Sequence, residues 1–267
     1  MPLFHLIILA LIQGVTEFLP ISSSGHLALY PLLTGQADQG LAIDVAVHVG
    51  TLGAVILYFR RDVAAALRGL IFLMRGEANN QEARLALLLI LSTLPVMAVG
   101  LAMSVAGVTD QLRSIAVIGW MTIIWGVALF AADMIGEQKR ETDDWNIMDA
   151  IWMGLMQVFS LVPGTSRSGV TMTMARALGY ARVDAARISM LMSIPTIIAA
   201  GALTGVKLAA EGDAAVGFDA GLAALLAFVA AILSLSFMMR MLKNWSMTPF
   251  VIYRMILGVI LLTVAYS

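Results

Sequence analysis

Cysteine is absent from this 267-residue chain, charge is scarce, and there are only 3 histidines. Without thiols there are no disulfides, no thiolate metal sites and no cysteine nucleophile, although the compartment stays open. Only 12% of residues are charged, where a soluble domain carries about 25%. The formal net charge of -1 shows no bias toward nucleic acid, and none is expected as a partner. A GxxxxGK phosphate loop, a paired-histidine zinc motif and a dinucleotide fingerprint are also missing. No Lys or Arg precedes the apolar stretch from Leu3 to Ile12, and Gln13 and Glu17 stand where a small-residue cleavage site would be. That stretch is therefore read as mature structure and not as a secretory signal.

What remains is apolar: 60% of residues are hydrophobic and mean hydropathy is +0.92, which marks an integral membrane protein. A spanning helix needs about 20 apolar residues to cross about 30 Å of hydrocarbon. Stretches 41–59, 85–106, 114–132, 188–206, 220–239 and 247–266 are long enough. Two others are interrupted. Leu3 to Leu19 stops at Pro20, and a helix starting near Gly25 meets Pro31 and the turn-like Thr34-Gly35. This second arm reaches only about 15 Å, half a bilayer. The pair reads as a re-entrant hairpin over residues 1–34, and a second follows over 145–179, where Trp145 to Val162 runs into Pro163. The expected fold is an all-α polytopic membrane protein, one domain over 1–267, with six transmembrane helices plus two re-entrant helical hairpins. Residues 1–136 and 145–267 each hold one hairpin and three spans. An odd number of spans turns the halves opposite ways, giving an inverted-topology repeat with its working site near the midplane.

Orientation follows from Lys and Arg. If the segment after the first span is cytoplasmic, that side gathers Arg60, Arg61, Arg68, Arg75, Arg84, Lys139, Arg140, Arg176, Arg182, Arg187, Arg240 and Lys243, and leaves Arg113 and Lys207 opposite. This positive-inside asymmetry places both termini outside the cytoplasm. The hairpins then enter from opposite faces and their tips can meet.

Polar backbone at membrane depth survives only where it is buried in protein or lines a wet cavity. The two runs Pro20-Ile21-Ser22-Ser23-Ser24-Gly25-His26 and Pro163-Gly164-Thr165-Ser166-Arg167-Ser168-Gly169 are therefore the candidates for function, and they align. Setting Gln13 on Gln157 puts Ser22 on Ser166, Ser23 on Arg167, Ser24 on Ser168 and Gly25 on Gly169. Gln13 and Glu17 share a helical face. A carboxylate at membrane depth costs about 2.5–3.5 kcal/mol on insertion scales, which makes Glu17 a functional candidate before it is a helix-end acid. One serine is enough to cap a helix; Ser22, Ser23, Ser24 and Gly25 exceed that need and form an anion site at a helix N-terminus. Thr165, Ser166, Ser168 and Gly169 repeat the arrangement, and Arg167 adds a guanidinium. Two opposed helix N-termini with an arginine suit a phosphate or pyrophosphate.

His26 alone would read as a packed histidine. Beside Glu17 and Ser23 it completes a hydroxyl, a carboxylate and an imidazole that can supply a nucleophile with proton-transfer partners. Asp44 and His48 share a face and either line an entrance or make a structural hydrogen bond. Arg254, inside the last span, either snorkels or pairs with an acid. The rival reading is a transporter or flippase for phosphate or a lipid phosphate, since inverted repeats with broken helices also build carriers. Glu17 with His26 beside an anion site favours chemistry, because a carrier has no need of a base there.

The run from Gln13 to His26, with Pro163 to Gly169 later in the chain, closely resembles the undecaprenyl-pyrophosphate phosphatase family, also called the bacitracin-resistance protein family. The resemblance implies an inner (plasma) membrane phosphatase that removes the terminal phosphate of undecaprenyl pyrophosphate and so recycles the lipid carrier for peptidoglycan and other envelope polymers. It also implies two re-entrant hairpins with six spans and a divalent cation, Mg or Ca. The family's first motif is Glu or Gln, three residues, then Glu. Here Gln13 takes the first place and Glu17 the second, which puts in question any metal or base role for the first acid. On this reading Arg167, Ser166 and Ser168 take the phosphates. Glu17 is the base or a metal carboxylate, supported by Gln13, and Ser23 is the nucleophile with His26 as acid/base. A phosphohistidine at His26 and attack by metal-bound water fit as well. The polyprenyl tail lies between helices in the bilayer, and a homodimer stays open as the assembly. Midplane geometry lets the site open to either face, and the outer one is favoured because the hairpin that carries Glu17, Ser23 and His26 enters from there.

Overall fold

The structure is a computed structural model that describes residues 2–35, 40–108, 112–211 and 217–267, with the side chains of 32, 33, 41 and 203–211 outside the description. Lys207, used above for orientation, falls among those side chains. The described residues form helices joined by short turns, with one isolated bridge between Arg140 and Tyr180.

Helix α1 (Leu3–Thr16) stops short of Pro20, which has no N–H to continue a helix. The chain then reverses into α2 (Ser23–Thr34), which ends on a left-handed Gly35. After α3 (Leu41–Tyr58) the chain bends by 92° into α4 (Arg60–Met74). Helices α5 (Gln81–Ala106) and α6 (Ile115–Ile135) complete the first half. A 3-10 turn at Thr142–Asp144 leads into α7 (Ile147–Gln157), which tightens into a 3-10 stretch over Val158–Leu161 before the second reversal. The rest is α8 (Arg167–Ala177), α9 (Arg182–Glu211), α10 (Gly217–Met241) and α11 (Thr248–Tyr266).

Helices α5, α6, α9, α10 and α11 are long and apolar enough to cross a membrane, and the apolar stretch that begins with α3 and breaks at the bend brings the number to as many as six. The all-α polytopic fold is therefore as expected. The addition is α4: the expected span ends at residue 59 and the segment beyond it is given no structure, whereas Arg60 opens a further helix of 15 residues.

Large apolar side chains cover the outside, among them Leu94, Val127, Leu225, Leu233 and Ile256. Such a surface is stable against hydrocarbon and not against water. Inside, helices approach through small residues. A Cβ on Gly14 would come within 2.6 Å of the Ala227 carbonyl of α10, and one on Gly50 within 2.1 Å of Ala224 O. At one end of the bundle, buried Asp133 accepts from Arg176 Nε at 2.9 Å, Arg182 Nε at 2.8 Å and Met247 N at 2.9 Å, tying α6, α8, α9 and the start of α11 together. This leaves the two hairpins facing each other inside a packed frame.

Candidate active site at the two hairpin tips

Each tip is built by the same local device. Ser22 (φ 73°) and Ser166 (φ 70°) are the positive-φ residues other than glycine among the described residues. Strained backbone of this kind persists where the surroundings over-determine it and is concentrated at functional sites. Each caps its helix: Ser22 Oγ accepts from Gly25 N at 3.4 Å, and Ser166 Oγ from Gly169 N at 3.1 Å. Each also shares a hydrogen bond with the hydroxyl two residues on, Ser24 at 3.0 Å and Ser168 at 3.1 Å. The opening N–H groups of α2 and α8 are left without helical acceptors by helix geometry, so each tip presents donors and the positive end of a dipole.

The tips touch. Gly164 N donates to Ser24 Oγ at 3.0 Å, Ser168 Oγ donates to the Leu19 carbonyl at 3.0 Å, and Arg167 Nη2 donates to Glu17 Oε1 at 2.9 Å. Gly164 adopts φ 93°, and a Cβ there would sit 2.3 Å from the Ile118 carbonyl, so only glycine allows this loop to lie against α6.

Glu17 is the centre of the arrangement. Its Oε2 accepts from Gln13 Nε2 at 2.8 Å and from Ser23 Oγ at 3.2 Å, while Oε1 takes the arginine. The second hydrogen of Gln13 Nε2 meets His48 Nε2 at 3.2 Å, and His48 Nδ1 lies 2.7 Å from the Asp44 carbonyl. Because a carbonyl only accepts, Nδ1 carries the proton and Nε2 accepts. Gln13 Oε1 and Arg167 Nη1 are both buried and without a partner. Arg167 lines a cavity of about 410 Å3 together with Glu17, Ser23, Ser24 and Ser166.

The structure divides the expected site residues into two groups. Glu17, Ser23, Ser24, Ser166 and Arg167 line the cavity, with Gln13 directly behind Glu17. Ser22, Gly25, Thr165, Ser168 and Gly169 are outside that lining: Ser22, Thr165 and Ser168 are buried, the hydroxyls of Ser22 and Ser168 and the amides of Gly25 and Gly169 hold the tips in shape, and the Thr165 hydroxyl has no partner. His26 is elsewhere. Its Nδ1 lies 2.8 Å from Ser22 O and its Nε2 2.6 Å from the Tyr253 hydroxyl, with the two rings stacked, so the imidazole faces α11 and makes no hydrogen bond to Glu17 or Ser23. The imidazole beside Glu17 is instead His48, 4.0 Å from Oε2. Asp44, Arg113, Ser160 and Thr196 complete the polar wall. The spacing of Asp44 and His48 on one face is the signal that pointed to this wall, whereas Ser160 and Thr196 gave none.

Arg254 was also misread by sequence. Its side chain is fully buried, and it neither snorkels nor meets an acid. Among the described residues it donates to backbone carbonyls only: Thr122 at 3.0 Å, Met121 at 3.4 Å, Pro20 at 3.2 Å, Gly164 at 3.1 Å and Thr165 at 3.1 Å. Pro20 belongs to the first tip and Gly164 and Thr165 to the second, so one guanidinium holds both loops by their carbonyl ends and leaves their N–H ends for the cavity. Gly169 makes room for it, since a Cβ there would stand 3.2 Å from Arg254 Nη1.

Comparison with known proteins shows the family of the chain. The chain is 58% identical to an undecaprenyl-diphosphatase of Jannaschia sp. (strain CCS1) and 57% identical to one of Ruegeria pomeroyi, each over 100% of both chains. It is 46% identical to undecaprenyl-diphosphatase 1 of Rhodospirillum rubrum, over 100% of this chain and 96% of that one. The model of the bacitracin resistance protein BacA family matches residues 6–260, and the chain belongs to that family.

Proposed function

We propose that the chain is an integral-membrane phosphatase that hydrolyses undecaprenyl diphosphate to undecaprenyl phosphate and inorganic phosphate. The observation that carries this reading is Arg167 Nη1, a buried guanidinium nitrogen with no partner, at a cavity that also holds a hydroxyl bonded to a carboxylate. The full-length relatives with that name support the substrate class.

Phosphoryl transfer needs positioning and charge stabilisation more than covalent chemistry from the protein. Arg167 and the opening N–H groups of α2 and α8 hold the phosphates. Ser23 Oγ attacks the terminal phosphorus as Glu17 takes its proton. The bond to the bridging oxygen breaks, and undecaprenyl phosphate departs with the electron pair. Water then attacks the phosphoserine phosphorus and leaves with its protons as inorganic phosphate, while Glu17 returns the proton it holds to Ser23 Oγ as the P–O bond breaks, so that Ser23 and the carboxylate are both restored. Gln13 keeps Glu17 in place by hydrogen bonding both it and His48.

Among the described residues no group of three or more His, Cys, Asp or Glu is placed to hold a metal ion. A divalent cation such as Mg or Ca nevertheless fits the donors present. Mg commonly takes one or two carboxylates and completes its coordination with substrate phosphates and water. The Glu17 carboxylate and the unpartnered Gln13 Oε1 are the oxygens that would hold it. When bound it would neutralise phosphate charge.

The cavity wall includes Asp44 near the start of α3 and Arg113 just before α6, while Arg60, Arg61 and Arg68 lie beyond the other end of α3. This supports a plasma-membrane protein with both termini and the cavity on the outer side. The matched Ser22 and Ser166 caps, and buried Gln13 and Gln157 each with an unpartnered Oε1, support the inverted repeat over 1–136 and 145–267.

Purified protein in detergent, with no membrane gradient, is expected to release inorganic phosphate from undecaprenyl diphosphate; binding without release would restore the carrier reading. Quenching during turnover is expected to trap an acid-stable phosphoserine at Ser23. An acid-labile adduct would move the nucleophile to histidine, and no adduct would assign it to water. Glu17→Gln is expected to lower kcat by about 10²–10⁴-fold, the range for a general base, with substrate still bound. Normal turnover in that variant would reject Glu17 as the base.

A further inference from the structure

We propose that α4 lies in the membrane–water interface and that its row of arginines, Arg61, Arg68 and Arg75, binds the headgroups of anionic phospholipids. The chain reaches α4 through a 92° bend after the apolar helix α3. A helix that turns through a right angle from a membrane-crossing direction runs close to the bilayer plane.

Three sides of α4 have different chemistry. One side is packed: Gly69 is buried, and a Cβ there would stand 2.0 Å from the Glu82 carbonyl at the start of α5. The second is apolar and uncovered. Leu67, Leu70, Ile71 and Met74 follow the helical spacing of one face and are 58%, 38%, 45% and 79% exposed. The third is basic: Arg61, Arg68 and the C-capping Arg75 are spaced by seven, which stacks them in one row, and all are exposed. Arg68 is shared with Glu82 through contacts of 2.7–3.1 Å, whereas Arg61 and Arg75 make no ion pair among the described residues. The acid within α4, Asp62, is engaged by Arg187.

An amphipathic helix with a leucine-rich face and a basic flank is built to lie in an interface, its apolar face at the boundary of headgroups and acyl chains. The unmatched arginines then sit at phosphate level, where the negative surface potential of anionic lipid attracts them. A soluble protein or a second copy of this chain would have to take the apolar stripe away from the hydrocarbon in which the bend places it.

Because the chain has no cysteine, single nitroxide labels can be introduced without background. In nanodiscs of phosphatidylglycerol and phosphatidylcholine, labels at Leu67→Cys, Leu70→Cys and Met74→Cys are expected to collide with oxygen and be shielded from a water-soluble nickel complex. A label at Glu77→Cys is expected to show the reverse. Retention of phosphatidylglycerol over phosphatidylcholine on detergent extraction is expected to fall about fivefold per arginine removed in Arg61→Gln/Arg75→Gln. Nickel access along the apolar stripe would overturn the interfacial placement, and unchanged retention would overturn the lipid site. Spin coupling between labels on separate copies would assign the face to self-association and overturn both.

Discussion

Arg167→Ala is expected to lower phosphate release by about a thousandfold or more, the scale on which a single arginine stabilises a phosphoryl-transfer transition state. The variant also strands Glu17, whose side chain is only 8% exposed and whose ion pair with Arg167 is 2.9 Å long. Breaking one side of a buried pair costs about 3–5 kcal/mol, so a loss of activity could reflect a loss of fold. The double variant Arg167→Ala/Glu17→Gln removes the stranded charge. It is expected to regain the melting temperature of the parent and to stay inactive. Arg167→Lys keeps the charge but loses the planar fork that grips a phosphate with one nitrogen while another stays on Glu17; its turnover is expected to fall between those of the parent and Arg167→Ala. Near-normal turnover in Arg167→Ala would remove this residue from the site.

Arg254 is expected to produce the second large effect without touching substrate, since it lies outside the cavity lining. Hydrogen bonds to a charged group contribute about 1.5–3 kcal/mol each, and Arg254→Ala removes the guanidinium from the carbonyls of Pro20, Thr122, Gly164 and Thr165, of which Gly164 keeps the Thr122 hydroxyl. Total stability of a folded protein is about 5–15 kcal/mol, so this variant is expected not to accumulate in folded form. Arg254→Lys is the informative change. An ammonium has three donors and no fork, so it keeps the charge while holding fewer of the carbonyls. The folded variant is expected to lose about 10²-fold in kcat, the scale of an ångström of misplacement, with KM little changed. Wild-type kcat in folded Arg254→Lys would show that the tips keep their geometry without it.

Features that depend on local composition were legible in the sequence. Hydropathy located the spanning helices, because crossing hydrocarbon demands a long apolar run whatever its partners. Pro20 and Pro163 marked the reversals because each is followed by a run of hydroxyl and glycine residues, whereas Pro95 and Pro195, set in long apolar runs, lie inside helices. Glu17, Ser23 and Arg167 stood out because polar groups at depth need a reason to be there. What escaped was tertiary. Arg254 is held by main-chain carbonyls, which have no residue identity to read. His26 is three residues from Ser23, yet its bonds to Ser22 O and Tyr253 turn the ring toward α11, while His48 reaches Gln13 from another helix. Helix α4 was missed because its apolar face is diluted by arginines and averages out in a hydropathy window.

The contacts between the hairpins also bear on how the molecule can move. A carrier that shows its site to each side in turn must part its two halves at mid-depth. Here parting them would break Gly164 N to Ser24, Ser168 to Leu19, Arg167 to Glu17 and the grip of Arg254 on both loops together. The junction behaves as a weld and not as a hinge. Any change of access that keeps these bonds has to come from the surrounding walls, to which α3 gives Asp44 and His48 and α9 gives Thr196 and Ile197.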